Sequence, residues 1–109
     1  MLQHLDETAI RRVFDLASEG NKRELTRFVS EMTEPESIEL LALLWYGKSA
    51  HLERSFSELL ELSRIRHDTH NLTGIPEYVG EHWYEVRSLL ADGLRALHLE
   101  QSESRFDEP

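Results

Sequence analysis

The chain has no cysteine and few residues that break helices: three prolines and five glycines in 109 positions. Without cysteine there is no disulfide framework, no thiolate zinc site and no cysteine nucleophile. That composition agrees with a reducing compartment. No apolar run approaches the ~20 residues a membrane span needs. The N-terminal stretch MLQHLDETAIRRVF lacks the apolar core of a secretory signal. A soluble, cytoplasmic protein is expected. Basic residues are also scarce, 12 against 21 acids, for a formal net charge of −9. Direct binding to nucleic acid or to an anionic membrane needs a basic surface, so neither is expected. The glycines are isolated, which excludes a phosphate-cradling loop.

What remains is an ordinary soluble composition, 39% hydrophobic and 30% charged. A single domain of this length buries roughly two-thirds of the surface its unfolded chain exposes, enough for a core without staples. The charge is uneven. Residues 1–27 carry five acids and five bases, residues 28–47 four acids and no base, and residues 76–109 eight acids and three bases.

Apolar residues recur at helical spacing along most of the chain. Asp6 is placed to cap a first helix over about 7–19, with Ile10, Val13, Phe14 and Ala17 on one face. Gly20-Asn21 ends it, and Asn21 can cap a second helix whose stripe is Leu25, Phe28, Val29 and Met32. Thr33-Glu34-Pro35-Glu36 is a capping box with proline in the first turn, where its missing N–H costs nothing. The third helix is apolar most of the way round, from Ile38 to Trp45, which marks it as central. Gly47 is expected to stop it in a left-handed conformation. A fourth helix is expected over about 50–67, with Leu52, Phe56, Leu59, Leu60 and Ser63 on one face. Asn71 to Gly80 is expected as a loop holding a short turn, because Gly74 and Pro76 break propagation. A last helix is expected over about 81–99, where Gly93 implies a close helix crossing. The reading is all-α, a compact bundle of four to five short helices: one domain over 1–99, and an acidic disordered tail over 100–109.

Four short boxes run in order through this pattern: Leu43-Leu44-Trp45-Tyr46-Gly47, Arg66-His67, Tyr78-Val79-Gly80 and Leu90-Ala91-Asp92-Gly93-Leu94. Together they resemble a family of small, single-domain helical bacterial proteins of unknown function, over about Leu5 to Leu97. The resemblance implies a fold and a bacterial source, and no activity. This chain departs from the pattern in a longer segment between His67 and Tyr78, and in the added pair Trp83-Tyr84.

Several groups are candidates for function. Trp45-Tyr46 and Trp83-Tyr84 are adjacent aromatics, displaced by about 100° on a helix, so one member of each pair should be partly exposed. With Tyr78 they form a candidate interaction surface, since exposed Trp and Tyr are enriched in binding hot spots. Alternatively they cover the ends of a small core. Glu31, Glu34, Glu36, Glu39, Glu77, Glu81 and Glu85 could make an acidic face. Such a face would suit an inhibitor or decoy that occupies a basic, nucleic-acid-binding site on another protein. The segment His67-Asp68-Thr69-His70 places two imidazoles three apart, with Asp68 and His82 as further conceivable metal ligands. Against it stand Arg64 and Arg66, and the ordinary role of histidine at a helix C-terminus. Arg11-Arg12 and Lys22-Arg23 are interleaved with acids and point to local ion pairing. Ser49, Ser55 and Ser63 lack a nucleophile elbow, and no carboxylate pair sits in an apolar setting that would separate its pKa values. The expectation is a non-catalytic module without a cofactor, whose partner is another protein or a second copy.

Overall fold

Three helix starts are built as their cap residues dictate. In a computed structural model of the chain, which describes residues 2–48, 55–69 and 74–106, α1 spans Glu7–Ser18. Ahead of it, Asp6 accepts the Ala9 amide N–H at 2.8 Å. Gly20 turns the chain with φ 70°, and α2 follows over Lys22–Ser30. Asn21 caps α2 by accepting the Glu24 N–H at 3.2 Å. At α3, Glu34–Lys48, the capping box is reciprocal. The Thr33 N–H donates to the Glu36 carboxylate at 3.0 Å, and the Glu36 N–H donates to Thr33 Oγ1 at 3.4 Å. The remaining helices are α4, Phe56–Thr69, α5, Gly74–Glu81, and α6, Trp83–Phe106. Among the described residues there are six helices and no strand, so the chain is all-α with more elements than the four to five expected.

The differences from expectation have physical reasons. Gly74 to Gly80, expected within a loop, belongs to helix α5. Gly74 opens that helix and Pro76 falls in its first turn, where neither breaks a hydrogen bond. Gly80 is buried in α5 because Thr26 of α2 lies where a β-carbon would be. Gly47 does not stop α3, which runs through it to Lys48. α4 begins at Phe56, where Ser55 Oγ accepts the Glu58 N–H at 3.2 Å, rather than near residue 50. Leu52 lies outside the described residues. α6 runs to Phe106, past residue 99 where the last helix was expected to end, in a stretch with no proline or glycine before Pro109.

α3 is the central helix, as its all-round apolarity implies. Every residue from Ser37 to Leu44 is buried. It packs chiefly against α6 and α4, while α2 packs on α5 and α1 lies against α2 and α6. Fully burying side chains such as Leu40, Leu41, Leu43 and Leu90 stabilises the fold by about 1.5–3 kcal/mol each. α4 is pinned to α3 by Ser63, whose buried hydroxyl donates to the Ile38 carbonyl at 2.8 Å.

The α3–α6 crossing is close because both helices present glycine there. A β-carbon on Gly47 would strike the Leu89 carbonyl oxygen and come within 2.8 Å of the Gly93 nitrogen. One on Gly93 would strike the Leu43 carbonyl oxygen. The N-terminal segment is anchored differently. The carboxylate of buried Glu39 accepts backbone N–H bonds from Gln3, His4 and Leu5, at 2.9–3.2 Å. The radius of gyration, 13.6 Å, is that of one compact domain, for which ~13 Å is usual at this length. No helix among the described residues is long and apolar enough to cross a membrane.

Candidate functional site

α3, α5 and α6 bring four rings into a row. Trp45 Nε1–H donates to the Tyr78 hydroxyl at 3.2 Å, and the two rings meet edge to face at 6.2 Å. Tyr78 stacks on His82 at 4.3 Å, and His82 lies 6.5 Å from Tyr84 in near-parallel planes. His82 is the single residue between α5 and α6. Its Nδ1–H donates to the Tyr78 carbonyl at 2.9 Å, which fixes both the ring and its tautomer. The Arg66 guanidinium of α4 covers the Tyr78 ring at 4.9 Å, a cation–π contact. The row thus runs from half-buried Trp45 to Tyr84, which is 65% exposed.

The five aromatics named from the sequence divide. Tyr46 is buried against Phe56 at 5.8 Å and belongs to the core. Trp83 is half-buried, with its ring over Gly20 and edge to face with Tyr84 at 6.1 Å. Trp45, Tyr78 and Tyr84 share the row. His82, named from the sequence only as a conceivable metal ligand, is its fourth ring. Residue spacing could have found the Tyr78–His82 pair, which sits at i and i+4. The contributions of Arg66 and Trp45 come from other helices and leave no local signal.

A second cluster joins the start of α3 to the end of α4. Glu34 Oε1 and Asp68 Oδ1 each lie 3.5 Å from His67 Nδ1. Glu34, His67 and Asp68 offer ligand atoms within 4.8 Å of one another, the one such group of three among the described residues. His70 lies outside those residues, and His82 is engaged in the ring row. Glu34 is the third member of the group instead, and nothing in the spacing announces it.

The acidic set is dispersed in its uses. Glu39 is not on an acidic face: it is 3% exposed, and its carboxylate is spent on three backbone amides. Glu36 closes the α3 capping box, and Glu31 pairs with Arg27 at 3.4 Å. Glu34 faces His67. Glu77 and Glu81 are exposed and Glu85 half-exposed, on α5 and α6. Of the basic residues near the N-terminus, Arg11 pairs with Glu7 at 3.0 Å, an exposed contact of little energetic weight. Arg12 and Arg27 line an open groove of about 300 Å³ between α1 and α2, together with Glu24 and Glu31. Ser63 is held by α3 and Ser55 caps the start of α4, so each has a structural use; Ser49 lies outside the described residues. Comparisons of the chain with protein-family models, curated proteins and solved structures find no match.

Proposed function

We propose that this chain is a small interaction module that acts by docking another protein, not by chemistry, through the row Trp45, Tyr78, His82 and Tyr84. The observation that carries the reading is Tyr84, a large ring 65% exposed at the end of a row whose other members are held by hydrogen bonds and stacking. Rings fixed in advance lose little freedom on binding, and Tyr and Trp supply much of the energy at protein interfaces. Glu77, Glu81 and Glu85 adjoin Tyr78, His82 and Tyr84 in the chain, so a partner segment carrying Lys or Arg is favoured. Those bases would pair with the carboxylates and stack on the rings. The acidic-decoy alternative loses support from the burial of Glu39 and the internal use of Glu36 and Glu31. Membership in the small helical bacterial family is part of the same proposal. Its support is that the four boxes meet in space: Gly47 on Gly93, and Arg66 and Trp45 on Tyr78.

The test uses wild type and Tyr84→Ser as baits and in sedimentation. A partner, or a second copy, bound by wild type should bind the variant about 30-fold more weakly, the effect of losing a hot-spot ring. A protein that stays monomeric and binds nothing beyond what the variant binds would end the proposal.

A further inference from the structure

The distances in the α3–α4 cluster are unusual for hydrogen bonds. N–H···O bonds close at 2.7–3.2 Å, roughly. His67 Nδ1 instead stands 3.5 Å from Glu34 Oε1 and 3.5 Å from Asp68 Oδ1, between two carboxylate oxygens, with only a long hydrogen bond to Asp68. Two ligands on a tetrahedral zinc, with bonds of about 2.1 Å, are roughly 3.4 Å apart. Both edges that meet at His67 therefore already have the length a shared ion requires. The third edge, between the carboxylates, is within 4.8 Å.

The geometry points to a binding site for one divalent transition-metal ion of the zinc class, held by Glu34, His67 and Asp68 with water completing the shell. One imidazole and two carboxylates suit zinc, nickel or copper better than calcium or magnesium, which take larger sets of oxygen ligands. Two carboxylates supply the counter-charge; the C-terminal end of the α4 dipole adds to it, and the N-terminal end of α3 at Glu34 offsets that addition. Arg66 is drawn aside onto Tyr78, and Arg64 lies along a groove with Gln3, His4 and Leu60. These two arginines weaken cation binding without occupying the site. Ser63, one helical turn before His67, ties α4 to α3 through its bond to the Ile38 carbonyl. His67 is 24% exposed and the two carboxylates more than half, so an ion has open access. Bound metal would cross-link the start of α3 to the end of α4.

The competing arrangement is an imidazolium between two carboxylates, with no metal. Chelator-treated full-length chain is titrated with zinc chloride, and separately with nickel, manganese, calcium and magnesium chlorides, following heat of binding and melting midpoint. Wild type should take up one zinc per chain, with the midpoint raised by about 4 °C or more at saturating metal. His67→Gln and Glu34→Gln should lose both signals, while Glu77→Gln, a charge removed elsewhere, keeps them. Asp68→Asn serves where either variant melts early without metal. Cobalt substituted at the site should give the visible absorption of a low-symmetry, four-coordinate ion. The inference fails if no saturable one-to-one binding occurs, which leaves the three groups as an ion pair. It also fails if binding survives in both His67→Gln and Glu34→Gln, which would mean diffuse attraction to an acidic surface. Tyr84→Ser should bind zinc as wild type does, so this result is separate from that for partner docking.

Discussion

Glu39 illustrates how much one side chain can carry. It sits between Ile38 and Leu40 in a helix that is otherwise apolar there, and its carboxylate receives the amides of Gln3, His4 and Leu5. Hydrogen bonds to a charged group are worth about 1.5–3 kcal/mol, and a buried amide left without a partner costs about 1–3 kcal/mol. Glu39→Ala should therefore destabilise the protein by about 2–4 kcal/mol in urea unfolding. Glu39→Gln, which keeps one acceptor oxygen, should cost less. Hydrogen exchange at Gln3 to Leu5 should quicken in both; unchanged exchange there would show that the segment is held by other means. From the sequence, Glu39 was one of seven acids assigned to a candidate acidic face. Its partners lie at the far N-terminus, so no local pattern could separate it from the solvated carboxylates around it. His67 and Asp68 were legible as a candidate pair for the same reason that Glu34 was not: neighbours in sequence are visible, neighbours across a fold are not.

Among the elements, the α3–α6 crossing sets the architecture. In an exposed helix, replacing glycine by alanine gains about 1 kcal/mol of propensity. At Gly47 and Gly93 the new methyl would meet backbone of the other helix, which cannot swing aside. Gly47→Ala and Gly93→Ala should each lower stability by about 1–3 kcal/mol in calorimetry or denaturant titration. The double variant should cost less than the sum, because a crossing already forced apart admits the second methyl more cheaply. Additive losses would mean that the two positions do not share one contact. Gly93 was legible as a crossing because it interrupts a leucine stripe. Gly47 was not, because a glycine after Trp-Tyr also fits a helix stop, and only the partner helix decides between the two. α5 was hidden by Gly74, Pro76 and Gly80. Each is a breaker in isolation, and each is tolerated where it stands, two in the opening turn and one against Thr26.

At the scale of the whole molecule, net charge opposes compaction. A formal −9 over a globule with radius of gyration 13.6 Å repels itself, and the exposed pairs Arg11–Glu7 and Arg27–Glu31 return little. Raising sodium chloride from about 20 mM to about 500 mM should raise the melting midpoint by a few degrees through screening. A falling midpoint would show that attractive pairs outweigh the repulsion. The α class, the helix starts at Asp6, Asn21 and Thr33, and the central place of α3 were all set by the sequence alone. They depend on interactions within a few residues: a side chain reaching its own first-turn amides, and apolar groups recurring at 3.6 positions. The tertiary structure alone decided that Gly47 would pass through a crossing, that Glu39 would turn inward, and that Glu34 would join His67. It also aligned Trp45, Tyr78, His82 and Tyr84 into one row. Each of these rests on residues far apart in the chain, and their meeting is fixed by which helix faces pack together, information that no short window of sequence contains.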